Sequence, residues 1–353
     1  MPVQHGDVTV HLGPQEHGAA DDLLKPIVDF IGRAKRRQTL MIAVQEIDNP
    51  DIADAIIAAR LRGVTIDLVI EQSYLLAASK PGTVADAHTP GGKYEINREL
   101  FNAILRSTTD VKVDFNPKIF HQKFMVLGNT VLTGSTNFTT TGVTKNLNHV
   151  VVVENASVAT AYKREFREIR EGRFGKFSVA HGDRPKEVAV SGMRVKPLFA
   201  PDHGPEMEIM KQILKARERI DFAAFTFAQS SGIDDALIAA HQNGIKVTGV
   251  LDRRQGNQRW AAKLPLEEAG IAVKVAGGRG SLGKVHHKLM VIDDQLTIFG
   301  SFNYTRPANK SNDENILIVG DLEDTDAAAR AAQGTIARAC REEIDRIISN
   351  FAD

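Results

Sequence analysis

Apolar residues recur at helical spacing in two stretches that read almost alike. Ile52 to Ile66 (IADAIIAARLRGVTI) and Ile233 to Val247 (IDDALIAAHQNGIKV) stand 181 positions apart, half of the 353-residue chain. Each predicts a helix closed by a glycine, Gly63 or Gly244, then a β-branched strand, Val64 to Ile70 or Ile245 to Leu251. Upstream of each lies a helix rich in basic residues (Leu24 to Arg37; Met207 to Arg219) and an apolar strand (Leu40 to Val44; Phe222 to Phe227). Helix and strand alternating in this order predict an α/β chain built twice. The expectation is two similar α-β-α sandwich domains related by a pseudo-twofold, with mixed, mostly parallel sheets. Phe174 to Val190 has no apolar period and carries Gly175, Gly182 and Pro185, so it reads as a linker between halves 1–178 and 179–353. Each half closes with a long helix, near Val158 to Arg173 and Asp324 to Ile348, placed to pack at the junction.

Composition narrows the picture. Hydrophobic residues make up 42% and charged residues 25%, the balance of a globular protein rather than a disordered one. The 44 basic residues match the 44 acidic ones, so an anion site must be a local concentration of charge. Cys340 is the one cysteine, which excludes an intrachain disulfide and a cysteine zinc cluster. No apolar run approaches the ~20 residues that span a bilayer. Met1 to His17 is polar and unlike a signal peptide. A soluble, cytoplasmic protein is expected.

The repeat then becomes chemical. His286-His287-Lys288 opens the apolar strand Leu289 to Ile292, followed by Asp293 and by Gly300-Ser301-Phe302-Asn303. His121-Gln122-Lys123 opens Phe124 to Leu127, followed by Gly134-Ser135-Thr136-Asn137. The chain thus holds H-x-K-x4-D-x6-G-S-x-N once in full and once with defects. This duplicated motif resembles the signature of the phospholipase D superfamily, and the resemblance covers most of the chain because the flanking helices and strands duplicate too.

On a strand, residues i and i+2 share a face. His286 with Lys288, Ser301 with Asn303, His121 with Lys123, and Ser135 with Asn137 therefore project in pairs. A pseudo-twofold would bring two histidines, two lysines and two asparagines around one point, a set suited to a phosphodiester. The lysines and asparagines would hold the non-bridging oxygens. One neutral histidine would attack phosphorus to give a phosphohistidine, and the other would protonate the leaving oxygen and then activate water. The lysines supply the positive charge, so neither metal nor cofactor is expected, as the resemblance also implies.

The first half departs from the pattern twice. Gly128 stands where Asp293 would be. Asp293 lies seven positions from His286, on the far face or past the strand end, and is expected to brace a turn. The resemblance also implies a downstream acidic residue hydrogen-bonded to a catalytic histidine. Glu314 fills that place in the second half, and Asn148 is its counterpart in the first. If each serves its own motif, His286 is the better acid and His121 the better neutral nucleophile.

The superfamily includes endonucleases, phospholipases and phospholipid synthases, so the motif alone does not select a substrate. Between Asp252 and Lys288 stand eight basic residues against three acidic ones. The run Arg253, Arg254, Gln255, Gly256, Asn257, Gln258, Arg259 reads as a phosphate-tracking loop, with Trp260 placed to stack on a base or to pack. This half is also similar to the small bacterial endonucleases of the superfamily, whose dimers one chain would mimic as a monomer. The rival signal is a 16-residue excess in the first half, assigned to Gln72 to Lys93, where Tyr74-Leu75-Leu76 could form an apolar loop tip, a lid or a short helix. Three readings follow: a metal-independent endonuclease on DNA or RNA, a phospholipase D-type hydrolase of cardiolipin or phosphatidylcholine, and a nucleic-acid-binding module with weakened catalysis.

Overall fold

The computed structural model describes residues 1–76, 83, 91–114, 118–173, 175 and 184–353. Most of the segment read as a linker, and most of the glycine- and proline-rich part of 72–93, lie outside the described residues.

The strands form two sheets. The first contains β1 (Val3–His5), β2 (Val8–Gly13), β3 (Thr39–Val44), β4 (Thr65–Ile70), β5 (Asp110–Val113), β6 (Lys123–Leu127), β7 (Thr130–Gly134) and β8 (Asn148–Glu154), in the order β1-β2-β8-β7-β6-β3-β4-β5. The second contains β9 (Val188–Val190), β10 (Met193–Ala200), β11 (Arg219–Ala224), β12 (Lys246–Asp252), β13 (Ala272–Arg279), β14 (Leu282–Lys284), β15 (Lys288–Ile292), β16 (Leu296–Gly300) and β17 (Glu314–Val319). Its order is β14-β13-β12-β11-β15-β16-β17-β10-β9. The core order of the first sheet recurs in the second, strand for strand, as the sequence repeat predicts.

The sheets are mixed, but their parallel share is smaller than expected. Among the described strands, parallel pairs occur in β3-β4-β5 and β11-β12-β13, where helices make the crossovers. The His-x-Lys strands β6 and β15 run antiparallel to β3 and β11, and each returns through a tight hairpin to β7 or β16. Such hairpins need no crossover helix, so they carry no helical signal in the sequence.

Alternation along each strand sorts the core. Phe124 and Val126 on β6 join Leu289 and Val291 on β15 in one central cluster. Met125 and Leu127 face an outer cluster of the first half, Met290 and Ile292 one of the second. The helices Ala156–Arg170 and Ala327–Phe351 lie in the central cluster through Tyr162, Phe166, Ile336, Cys340 and Ile344. Tyr162 bridges the halves, its ring 5.1 Å from Phe124 and 5.0 Å from Phe199. Long helices therefore do pack at the junction.

Tyr74 and Leu75 belong to a 3₁₀ turn, Gln72–Leu75, rather than to an exposed tip. The Tyr74 hydroxyl accepts a hydrogen bond from Gln45 Nε2 at 2.7 Å, and Leu75 packs on the outer core. Among the described residues, no helix is long and apolar enough to cross a membrane.

Candidate active site

The carboxyl ends of β3 and β11 meet the amino ends of β6 and β15, Val44 opposite Lys123 and Ala224 opposite Lys288. Here the two halves join. Phe120 forms a parallel bridge with Asp313, and Leu147 with Val285. The backbone N–H of His121 donates to Asp313 O, and that of His286 to Leu147 O, both at 2.9 Å. Each histidine is thus threaded into the other half, beside that half's partner residue.

The expectation that each partner serves its own motif is therefore corrected: the pairing is crossed. His121 Nδ1 lies 2.6 Å from Glu314 Oε2, and His286 Nδ1 lies 2.9 Å from Asn148 Oδ1. Asn148 Nδ2 donates to Gly142 O at 2.9 Å and to Asn146 O at 3.3 Å, which fixes its oxygen as the acceptor. His286 consequently carries its proton on Nδ1 when neutral and leaves Nε2 bare. The serines hold the partners in place. Ser301 Oγ donates to Glu314 Oε2 at 2.7 Å, and Ser135 Oγ to Asn148 Oδ1 at 2.8 Å.

The glycines before these serines answer a close approach. A Cβ on Gly134 would stand 2.2 Å from His149 O, and one on Gly300 would stand 2.2 Å from Asn315 O. Only glycine lets each serine tuck under the adjoining strand.

Both lysines are buried. Lys123 Nζ donates to His121 O at 2.8 Å and to Gln45 Oε1 at 3.0 Å. Lys288 Nζ donates to His286 O at 2.9 Å and stands 5.0 Å from the ring centre of Phe225. Burial lowers Lys123 to about 7 and, with repulsion from Lys123, holds Lys288 well below the ordinary lysine range. Burial and then the lysines push both imidazoles toward their neutral forms, and His286 also feels His121. Burial raises Glu314 to about 8, while Lys123 and Lys288 draw it back toward the carboxylate. In this cluster the cations oppose one another, and an incoming anion relieves every one of them.

Asn137 and Asn303 follow β7 and β16, each half-buried. Each keeps its Oδ1 buried with no hydrogen-bond partner among the described residues. Asp293 stands past the end of β15. Its carboxylate accepts from the backbone N–H of Arg217, Glu218 and Arg219 at 2.7, 2.9 and 2.9 Å, bracing the chain as it enters β11.

The basic run is not an open loop. Arg253–Gly256 is a short helical turn capped by Asp252. Arg253 donates to Gly277 O at 3.0 Å and pairs with Asp353, Arg254 is exposed, and both line a cavity beside Phe225. Arg259 lies outside that cavity, and Trp260, 45% exposed, lines a different one with Thr226 and Pro307.

Sequence reasoning overlooked Gln45 and Phe225, the matching residues beside Lys123 and Lys288. It also overlooked a buried pair behind the site, His149 Nδ1 to His287 Nδ1 at 3.1 Å. The signal for both was present. Aligning the halves puts an amide opposite a phenyl ring, and His149 and His287 directly follow Asn148 and His286.

Residues 27–170 and 209–335 match the family model described as cardiolipin synthase, PLD-like domain. The chain is 36% identical over 132 residues to "Phospholipase D" of Rickettsia prowazekii, covering 37% of this chain and 62% of that one. It is 34% identical over 113 residues to "Mitochondrial cardiolipin hydrolase" of Xenopus laevis, covering 32% of this chain and 52% of that one. It thus spans little more than half the length of these relatives. The phosphatidylserine synthase of Haemophilus influenzae superposes with a TM-score of 0.67 over 98% of this chain and 86% of that one, at 15% identity, a likeness of fold. With both halves matched by the family model and each His-x-Lys histidine paired with a residue of the other half, the chain belongs to the phospholipase D superfamily, in the family of PLD-like domains described for cardiolipin synthase.

Proposed function

We propose that this chain is a cytoplasmic, monomeric phosphodiesterase that cleaves nucleic acid without a metal, through a phosphohistidine on His121. The observation that carries the reading is the crossed pairing. Glu314 accepts from His121 Nδ1, which aims the Nε2 lone pair at the cleft and stabilises the positive charge that grows on the ring as it bonds to phosphorus. Asn148 gives His286 a neutral acceptor, so a proton on His286 Nε2 is more readily released.

His121 Nε2 attacks phosphorus and the bond to the leaving oxygen breaks. His286, which takes up a proton on Nε2 as the substrate anion binds and offsets the lysine charges, gives that proton to the leaving oxygen. Water then attacks the phosphohistidine, His286 takes a proton from it, and the N–P bond breaks to free His121 and a phosphomonoester. Lys123, Lys288, Asn137 and Asn303 hold the non-bridging oxygens. His121 remains the nucleophile, but for the reverse of the reason drawn from sequence: the carboxylate serves the attacking ring.

Support for nucleic acid comes from the Phe225 side of the cleft, where Arg254, Gln255, Asn257 and Gln258 gather. The names of the curated relatives favour a second reading, hydrolysis of a phospholipid headgroup. The test is a panel of plasmid, single-stranded DNA, RNA and cardiolipin or phosphatidylcholine vesicles in EDTA. Cutting of nucleic acid in EDTA supports the proposal. Headgroup release beside intact nucleic acid selects the second reading, and binding without turnover of any substrate defeats both. Label trapped in enzyme quenched with alkaline denaturant, on the peptide of His286 instead of His121, would reverse the assigned roles. Sedimentation and cell fractionation check the monomer and the compartment.

A further inference from the structure

The pseudo-twofold that equates His121 with His286 also equates the walls of the cleft, and the walls differ. Glu71 accepts from the backbone N–H of Phe120 (2.6 Å) and Ser73 (3.0 Å), and Asp252 from that of Val285 (3.2 Å) and Arg254 (3.1 Å). Gln45 N–H donates to Gln122 O, and Phe225 N–H to His287 O. This register matches Gln45 with Phe225, Ile119 with Lys284, Gln72 with Arg253 and Ser73 with Arg254. The four on the His121 side are uncharged. On the His286 side three are cations and the fourth is a ring.

The charged wall encloses a cavity of about 640 Å³ that Phe225, Lys284, Arg253, Arg254, Gln255 and Asn257 help to line. Phe225 packs on the imidazole of His286, 4.9 Å between ring centres, and Lys284 Nζ lies 5.2 Å from the same ring. Phe225 therefore touches both the cavity and the proposed proton donor. Lys284 and Arg254 are exposed, and neither is held in an ion pair among the described residues. Arg253 keeps its Nη2 buried with no hydrogen-bond partner among them. Lys284 and Arg254, with Arg253 paired to Asp353 and the capped carboxylate of Asp252 beside them, border a space with one aromatic wall, an arrangement suited to a flat group followed by an anion.

We propose that this cavity is a second anion subsite. Lys284 and Arg254 take the phosphate next to the scissile one, on the arm of the substrate that departs with the proton of His286, and Phe225 supports the portion between. The subsite rests on the phosphodiesterase reading for its partner phosphate. It makes the cleft directional, because the matched positions of the opposite wall, Gln45, Gln72, Ser73 and Ile119, are uncharged. The ligand class is a chain of phosphates in series, a polynucleotide strand.

Titration calorimetry with adenosine 3′,5′-bisphosphate and the 5′- and 3′-monophosphates tests the site without turnover. In the wild type the bisphosphate is expected to bind at least ~10-fold more tightly than either monophosphate, and the preference to shrink to within ~threefold in the Lys284→Ala/Arg254→Ala double variant. Equal affinities in the wild type, or a preference that survives both substitutions, overturn the subsite. Turnover tests the direction: a terminal phosphate added to one end of a dinucleotide should raise kcat/KM, and added to the other end should not. A gain from both ends, or from neither, overturns the directionality. Failure to hydrolyse bis(p-nitrophenyl) phosphate would instead sink the phosphodiesterase reading, whatever the calorimetry shows.

Discussion

His121 and His286 stand two positions before their strands, each with a lysine two positions on and the same depth of burial. Their partners at Nδ1 differ, a carboxyl on one and an amide on the other. That difference is exchangeable by mutation. Glu314→Gln gives both rings an amide and should lower the rate of phosphoenzyme formation by ~10²-fold or more, measured by quench of labelled substrate. His121→Ala and His286→Ala should each lose ~10²-fold or more in kcat/KM. With a p-nitrophenyl leaving group, which needs no proton, His286→Ala should still load His121 and then stall. The lysines bring a pH dependence with a definite sign. Lys123 holds its charge below about 7 and sheds it above. Dimethyl phosphate keeps one charge across this range, so its affinity should fall ~10-fold between pH 6 and 8, with proton uptake on binding at the higher pH. A flat profile by calorimetry would show that Lys123 is charged throughout.

The repeated helix, glycine and strand were readable in the sequence because they depend on local spacing. The antiparallel share of the sheets was not, since a hairpin return leaves no helix to detect. The crossed partners were not legible either. Glu314 lies 193 positions from His121, and no local pattern states which half it faces. Asp293 was read as a brace, and in the structure its carboxylate accepts from three backbone N–H groups. Asp293→Ala leaves those N–H groups to water and should cost about 2 kcal/mol, seen as a lower Tm with the chemistry intact. Gly300→Ala should be worse, roughly 3 kcal/mol or an insoluble product, because the new methyl group meets backbone rather than a movable side chain.

The two sheets share their central cluster, so neither half has a complete apolar face of its own. Residues 184–353 expressed alone carry the complete motif, yet they should aggregate and show no turnover. Co-expression with the first half should restore both solubility and activity, read by size-exclusion chromatography and hydrolysis of bis(p-nitrophenyl) phosphate. Activity from the second half alone would mean that it pairs with itself and dispenses with His121. The reciprocal exchange of Glu314 and Asn148 carries one more implication. In an assembly of two identical subunits, symmetry would oblige both imidazoles to have the same neighbour. Joining the subunits into one polypeptide lifts that obligation, so the two rings are free to specialise, one as the group that bonds and the other as the group that shuttles hydrogen.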